Sequence, residues 1–510
     1  MKYVTAMLLG YWLMWFRERF SQGMTSKRLT MYSRVLLFAL IVLAVLGLLV
    51  SGCAPKNPVL TPPLTKPLPV EEGWDGSSAQ VMPEPDEAEK ERPGDTSWGN
   101  QIASPFGACQ VYWSRSTAEE EAVCHNLALD AKVKWIRQDF VWQHIEPTRG
   151  TFNFSGYDEM VEDALANGFN ILGICAPGGD HQYANPWSSG DVSPHTEEQC
   201  QDYANFVSAL VQRYKGKVMY WEIWNEPDID EFWRPQPDAV NYTNLLKHAY
   251  IAAKEADPSV KIVGLGGVDP GKTEYIRTAF QNGALDYMDV ISLHPYGDSP
   301  IFETSFQYQN LDVIKNLMSE YDSALPIWAT ETSYTTYSQG LSEERHAELL
   351  VRVYLSLLSQ GVETIFWYVL ADDPKCAPAE DDSAPHPGLL DSNLLPRKAY
   401  YAYKNMAVLL EGYRFSKEYD IGEDGKALLF ERSADEQILA LWTYGEEIDE
   451  RGNIISRCEK SVGLTIEGNV RDVIDIYGQS ILSTDASGPV LTIKIDDSPV
   501  FIKGSFDVVE

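Results

Sequence analysis

Two glutamates, Glu226 and Glu331, have the sequence surroundings of a catalytic carboxylate pair. Glu226 follows the apolar run VMYWEIW and Asn225, and Pro227 interrupts regular structure directly after it. Glu331 lies in PIWATETSY, again where an apolar run turns polar. Hydrolysis of a glycosidic bond requires one neutral carboxyl group that donates a proton and one ionised carboxylate that attacks carbon. The pair therefore predicts acid/base and nucleophilic catalysis on a sugar.

The elements that would position these residues alternate along the chain from about residue 102. Short apolar segments are followed by longer amphipathic ones, and strands that alternate with helices indicate a parallel sheet. The eight predicted strands are 104–112, 133–140, 170–175, 218–225, 261–265, 290–294, 327–330 and 364–368. The eight predicted helices are 118–131, 157–167, 197–214, 242–256, 274–281, 311–321, 343–360 and 398–410.

Eight strand–helix units predict an α/β fold of the (β/α)₈ TIM-barrel type, which we place at residues 101–412. The rival is an open doubly wound sheet, which usually has a glycine-rich phosphate loop after an early strand; the first strand here has no GxGxxG. Active sites of TIM barrels lie at the carboxyl ends of the strands. Glu226 and Glu331 end the fourth and seventh predicted strands, so both would reach one bowl from opposite sides.

The texture of the sequence changes after Glu411. Runs such as QILALWTY, VRDVIDIYG and VLTIKI are short, alternate between apolar and polar residues, and are separated by Gly, Asp, Asn and Ser. This pattern predicts a small all-β domain, a sandwich, at residues 413–510.

The segments WEIWNEPD and WATETSY resemble clan A of the retaining glycoside hydrolases, in which an Asn-Glu pair ends the fourth strand and a second Glu ends the seventh. The resemblance covers about residues 104–410 and is nearest to family 39 xylosidase-like and family 5 cellulase-like proteins, between which the sequence does not choose. It implies that Glu226 is the acid/base, that Asn225 binds the sugar 2-hydroxyl, and that Glu331 is the nucleophile.

Four further positions fit the same resemblance. It implies that Arg137, in WIRQDF, keeps the nucleophile ionised, and that His294 and Tyr296, in the pattern His-x-Tyr, orient the nucleophile and hydrogen-bond to it. It implies that Trp367, on the eighth strand, forms the platform beneath the sugar. Glu222, on the same strand as Glu226, is expected to be structural.

The N-terminus has the pattern of an export signal. Sixteen uncharged apolar residues, VLLFALIVLAVLGLLV, follow three basic residues and precede Ser-Gly-Cys. The sequence VSGC resembles the lipobox of bacterial lipoproteins, which implies lipidation of Cys53 and a membrane anchor; an ordinary signal or a single anchor helix is the alternative. We assign residues 1–52 to the signal, with Met24 as the expected true start, and 53–100 to a Pro-rich, acidic linker.

The composition of the chain limits which molecules it is expected to bind. A net charge of −33 argues against binding nucleic acid, which needs clustered Lys and Arg. With Cys53 assigned to lipid, six cysteines remain, and none has the close paired spacing of a zinc site. They are either disulfides or buried thiols. No motif for a cofactor is present, so we expect neither a cofactor nor a metal.

The most favoured function is an exported retaining glycoside hydrolase (a glycosidase) acting on β-glycosidic bonds of poly- or oligosaccharides. A surface protein that binds carbohydrate without cleaving it is one alternative, and a transglycosidase using the same site is another. The sequence leaves open the sugar, exo or endo action, and the oligomeric state.

Overall fold

The computed structural model describes residues 104–112, 117–176, 193–297, 299–336, 340–378, 384–481 and 490–509. The predicted signal (1–52), the lipidation site Cys53 and the predicted linker (53–100) lie outside these residues. Within the described part of the chain, no helix combines the length and the apolar character that crossing a bilayer requires.

Eight parallel strands close into a barrel in chain order, with the first strand hydrogen-bonded to the eighth, so the predicted TIM barrel is confirmed. The strands are β1 (Phe106–Cys109), β2 (Trp135–Val141), β3 (Asn170–Ala176), β4 (Tyr220–Ile223), β5 (Lys261–Val268), β6 (Val290–Leu293), β7 (Ile327–Thr332) and β8 (Val362–Trp367). The helices that follow them are α1 (Ala118–Asp130), α2 (Tyr157–Ala166), α3 (Glu197–Arg213), α4 (Ala239–Ala256), α5 (Thr273–Gln281), α6 (Phe306–Ser319), α7 (Glu343–Ser359) and α8 (Lys398–Leu410).

The strands are buried along nearly their full length because helices cover one face and the barrel interior covers the other. Every residue of β7 is buried, for example.

The helices begin where the sequence supplies a cap. The Thr196 side chain accepts a hydrogen bond from the Gln199 backbone N–H at the start of α3, and the Gln199 side chain binds back to the cap backbone. Such a capping box satisfies two donors that a helix end leaves open.

Aromatic side chains fill the amino-terminal part of the barrel interior. Trp135 of β2, Tyr220 of β4 and Trp328 of β7 contact one another with ring centroids 4.9–5.2 Å apart. All three are at the first or second position of their strands. The polar side chains of these strands therefore lie farther along, towards the carboxyl ends where the site was predicted.

The C-terminal region is all-β, as predicted. One antiparallel six-stranded sheet has the order β15-β14-β16-β11-β10-β9, and β12 pairs with β13 in a separate ribbon. The strands are β9 (Arg414–Glu418), β10 (Gly425–Ser433), β11 (Glu436–Thr443), β12 (Glu447–Ile448), β13 (Ile454–Ser456), β14 (Lys460–Ile474), β15 (Val490–Ile495) and β16 (Val500–Val509). β14 pairs with β15 along its first part and with β16 along the rest, so these strands form one continuous sheet and not the two packed sheets of the predicted sandwich.

Buried charges join this sheet to the barrel. Arg352 of α7 donates two hydrogen bonds to Glu303, at 3.0 and 2.6 Å, and one to Glu446, at 2.7 Å. The indole N–H of Trp442, on β11, donates to the same Glu303 carboxylate at 2.7 Å. All four residues are buried.

The six cysteines of the described region were expected to form disulfides or to be buried thiols. All six are free thiols, so none of them forms a disulfide.

Candidate active site

Glu226 reaches the mouth of the barrel because the chain turns sharply after β4. Trp224 and Glu226 both have positive φ angles, 71° and 44°, which residues with a side chain seldom adopt. Trp224 is fully buried and its indole N–H donates to the Phe232 carbonyl at 2.9 Å. The Glu226 backbone N–H donates to the Gly266 carbonyl at 2.6 Å. Strained backbone of this kind is characteristic of functional sites whose surroundings hold it in place.

Glu331 lies near the end of β7 and is 8% exposed. Arg137 donates to its Oε1, and the Tyr296 hydroxyl donates to its Oε2 at 2.5 Å. Burial raises the pKa of Glu331, but His294, Arg137 and the Tyr296 hydrogen bond outweigh burial and hold that pKa below its ordinary value. Glu331 is therefore ionised, as a nucleophile must be.

Arg137 uses each of its three nitrogens on a different acceptor. Nε donates to Glu222 at 2.6 Å, Nη1 to Glu331, and Nη2 to the side-chain oxygen of Asn225 at 2.9 Å. Glu222 is completely buried and also accepts from Ser292 and from Thr330. Glu222 is thus structural, as expected, and no described residue accepts a hydrogen bond from the amide N–H groups of Asn225.

His294 contacts the predicted acid/base more closely than the predicted nucleophile. Its Nδ1 lies 2.8 Å from Glu226 Oε1 and 3.7 Å from Glu331 Oε2. Burial lowers the pKa of His294, but Glu331 and the hydrogen bond to Glu226 raise it above its ordinary value. The expectation that His294 hydrogen-bonds to the nucleophile is therefore wrong. Tyr296 alone of the His-x-Tyr pair does so.

Glycines of β5 make room for this arrangement. A Cβ atom on Gly267, whose φ is +80°, would lie 2.1 Å from His294 Nε2. A Cβ on Gly266 would lie 2.8 Å from the Ile223 carbonyl oxygen. β5 is irregular between Gly264 and Val268, where its register with β6 shifts. The glycines in KIVGLGGV thus leave free the space that the His294 ring and the turn after β4 occupy.

One potential metal-ligand atom from each of Glu226, His294 and Glu331 lies within 4.8 Å of the other two. Such a trio could in principle ligate a metal ion. Here Glu331 is held by Arg137 and Tyr296, and the histidine nitrogen is engaged with Glu226. The arrangement therefore matches a carboxylate pair with hydrogen-bond support more closely than a set of open metal ligands.

Two cavities meet at this site. The first has a volume of about 370 Å³ and contains both glutamates. The second, of about 600 Å³, shares Gln110, Tyr296 and Tyr368 with the first. The first cavity is lined by Cys109, Gln110, Arg137, Asp139, Ile174, Ala176, Asn225, Glu226, Phe232, Tyr296, Glu331 and Tyr368. Both volumes lie in the range typical of small-molecule sites.

Trp367 is not part of this cavity, so its prediction as the sugar platform is wrong. It is completely buried, its indole N–H donates to the Pro387 carbonyl at 2.9 Å, and it packs against His346. Side chains alternate along a strand. Phe366, directly before Trp367, accordingly belongs to the cluster that fills the barrel interior, and Tyr368, directly after Trp367, lines both cavities.

Sequence reasoning also missed other lining residues, among them Gln110, Asp139 and Phe232. Asp139 follows Arg137 by two positions on β2, which places both side chains on the same face of the strand. That spacing was the available signal. Burial raises the pKa of Asp139 to about 6; Arg137 opposes this effect, whereas Glu331 and Glu222 reinforce it.

Comparisons with known proteins agree with this fold. A family 39 glycoside hydrolase from the gut symbiont Bacteroides cellulosilyticus WH2 has a TM-score of 0.64 and 23% sequence identity, covering 79% of this chain and 82% of that one. A monomeric beta-xylosidase from Caulobacter crescentus CB15 has a TM-score of 0.53 and 15% identity, covering 80% and 97%. At these identities the two structures establish a shared fold.

Curated relatives include Endo-1,4-beta-xylanase C of Phanerodontia chrysosporium, 33% identical over 128 residues, which are 24% of this chain and 30% of that protein. Endo-1,4-beta-xylanase B of Thermotoga neapolitana is 23% identical over 280 residues, or 52% of this chain and 77% of that protein. The chain thus spans under a third of the first relative's length.

The sequence resemblance left family 39 and family 5 open. The model of the family described as Glycosyl hydrolases family 39 matches residues 121–492, well over half of the chain and including both glutamates. This chain therefore belongs to glycosyl hydrolases family 39.

Proposed function

We propose that this chain is a retaining glycoside hydrolase that cleaves β-glycosidic bonds of oligosaccharides or polysaccharides. The observation that carries the proposal is the separation of the two glutamates. A carboxylate oxygen of Glu226 lies within 4.8 Å of one of Glu331. Retaining enzymes keep their carboxyl groups about 5–5.5 Å apart, whereas inverting enzymes leave about 6.5–9.5 Å for a water molecule. The short separation favours attack by the carboxylate itself.

In this mechanism Glu331 attacks the anomeric carbon while Glu226 protonates the departing glycosidic oxygen. The bond from the anomeric carbon to the leaving oxygen breaks, and an ester to Glu331 forms. Glu226, now ionised, removes a proton from water, whose oxygen attacks the anomeric carbon and releases Glu331. Arg137 and Tyr296 keep Glu331 ionised before attack and stabilise it as a leaving group.

For the substrate we propose β-1,4-linked xylo-oligosaccharides. The support is that the relatives named above are xylanases and a xylosidase, and that the 600 Å³ cavity adjoins the catalytic one. Two joined cavities offer space for more than one sugar unit. A transglycosidase would use the same ester but pass the sugar to another hydroxyl group, and a protein that only binds carbohydrate would form no ester.

The test combines two variants with a trapping reagent. Glu331→Ala should abolish turnover of aryl β-glycosides, and Glu226→Ala should be partly rescued by azide on substrates with good leaving groups. A 2-deoxy-2-fluoro glycoside should label Glu331 in the wild type, with the exposed Glu119→Ala as the control variant. Full activity of Glu331→Ala, or no labelling and no turnover in the wild type, would refute the proposal. Products in which the sugar is joined to another hydroxyl group, without new free reducing ends, would identify a transglycosidase.

We further propose that the protein is exported and anchored to a bacterial membrane through lipid on Cys53. The support is the basic, apolar and VSGC sequence pattern. Mass spectrometry of the native N-terminus should find a lipidated Cys53, and Cys53→Ser should release the protein from the membrane fraction. A peptide from residues 1–23 in mature protein would contradict this assignment.

A further inference from the structure

Asp139 is an acidic residue in the catalytic cavity that the mechanism above does not use. It lies on β2 two residues after Arg137. Asp139 is partly exposed, whereas all the remaining residues of β2 are buried. Its side chain lines the cavity that holds Glu226 and Glu331. Among the residues that the structure describes, none forms a hydrogen bond or ion pair with its carboxyl group.

The surroundings of Asp139 do not explain why an acid stands there. Its neighbours Glu331 and Glu222 are also acidic, and Arg137 has each of its nitrogens committed to another acceptor. A carboxylate that is desolvated without a partner costs stability. Its lone pairs face a cavity, and perturbed groups in a cavity are candidates for function.

The chemistry of the cavity limits what Asp139 can bind. A carboxylate has two oxygens with about four lone-pair sites for hydrogen bonds, and sugar hydroxyl groups are suitable donors. The described lining of the two cavities contains no Lys, and Arg137 is its only Arg. In the catalytic cavity a sugar acid would therefore meet three carboxylates, Asp139, Glu226 and Glu331, and no uncommitted cation among the described lining residues. A neutral sugar would meet acceptors for its hydroxyl groups.

We propose that Asp139 binds the sugar in the catalytic cavity by accepting hydrogen bonds from its hydroxyl groups, and that the cavity selects neutral sugars over uronic acids. This inference rests on the proposed function, because it assigns a role within the same catalytic site. Asn225 is expected to serve the 2-hydroxyl, so Asp139 is assigned to the 3- or 4-hydroxyl.

The test compares deoxy substrates within each variant. The 4-nitrophenyl glycoside with the highest kcat/KM is measured at pH 7.5 beside its 2-, 3- and 4-deoxy analogues, in the wild type, in Asp139→Asn and in the surface control Asp435→Asn. Loss of a hydroxyl bound by a charged acceptor should lower wild-type kcat/KM about 10- to 100-fold. In Asp139→Asn this penalty should fall to about threefold or less at the 3- or 4-position, and stay unchanged at the 2-position.

Because each ratio is taken within one variant, a general loss of folded protein does not alter it. Unchanged 3- and 4-deoxy penalties in Asp139→Asn would overturn the role of Asp139, even if overall activity fell. A kcat/KM for 4-nitrophenyl β-glucuronide that equals the best neutral glycoside would overturn the selection of neutral sugars. Labelling of Glu331 by the 2-deoxy-2-fluoro glycoside in both variants separates these failures from failure of the proposed hydrolase activity.

Discussion

Asp139→Asn is expected to stabilise the protein at neutral pH while it weakens substrate binding. Burial, with the nearby Glu331 and Glu222, raises the pKa of Asp139 from 3.8 to about 6 despite the opposing effect of Arg137. Folding therefore makes it harder to ionise this carboxyl group, and at neutral pH that cost reduces the free energy of unfolding. Asparagine has a similar shape and no charge, so the cost disappears.

The size and pH range of this effect follow from the two pKa values. Below pH 3.8 the carboxyl group is protonated in both folded and unfolded chains, and the variant should gain nothing. Between pH 3.8 and about 6 only the unfolded chain loses the proton, so the gain should grow with pH. Above pH 6 it should be constant. A shift of about two units corresponds to at most about 3 kcal/mol.

Thermal unfolding of the wild type and Asp139→Asn, measured from pH 4 to pH 8, tests this expectation. With an unfolding entropy of about 2.1 cal/mol/K per residue and roughly 400 residues, 3 kcal/mol corresponds to a rise in Tm of about 3–4 °C. Asp435→Asn, in the exposed turn between β10 and β11, should leave the Tm profile parallel to that of the wild type. A Tm difference for Asp139→Asn that is negative or the same at pH 4 and pH 8 would refute the reasoning.

Three further perturbations probe the site and its support. Gly267→Ala should lower kcat at least 100-fold, because its Cβ would collide with the His294 ring that hydrogen-bonds to Glu226. The control Gly150→Ala is also at positive φ but has open space around it, so its kcat should stay near the wild-type value. Equal losses of kcat in the two variants would contradict this reasoning. Tyr296→Phe removes a donor to the ionised nucleophile Glu331, so the acid limb of the pH profile of kcat/KM should move up by about one to two pH units, and an unmoved limb would count against the contact. Arg352→Met removes the arginine paired with the buried Glu303 carboxylate and leaves Glu446 with Arg345 as its arginine partner, so it should destabilise the protein by about 3–5 kcal/mol in thermal unfolding; a wild-type Tm would show that the network between sheet and barrel is dispensable.

The barrel and the position of the two glutamates in one cavity could be predicted from the sequence because each depends on local pattern. Apolar runs that turn polar mark the strand ends, and the order of the strands in a barrel is the order of the chain. Those two facts bring Glu226 and Glu331 to one side of the molecule without knowledge of any contact. Arg137, on β2, was instead predicted from the resemblance to clan A of the glycoside hydrolases.

The residues that were missed or misplaced depend on features without a local signature. Trp367 and Tyr368 are adjacent aromatic residues at the end of a mostly buried strand, so the sequence does not indicate which of them faces the cavity. The partner of His294 is decided by the positive φ angles of Trp224 and Glu226 and by the irregular, glycine-rich β5. Asp139 is one of 74 acidic residues, and what distinguishes it is the lack of a described partner in the closed barrel.

Arg137 and Asp139 show two opposite relations between stability and catalysis on the same strand. Arg137 neutralises the completely buried Glu222 with one nitrogen and holds the ionised Glu331 with another. Its removal would leave two carboxylates without their cation, so fold and nucleophile depend on it together. Asp139 has no described protein partner that would lose an interaction. The described part of the fold gains no hydrogen bond or ion pair from Asp139, and the sugar proposed to bind in the cavity would give its carboxylate a partner.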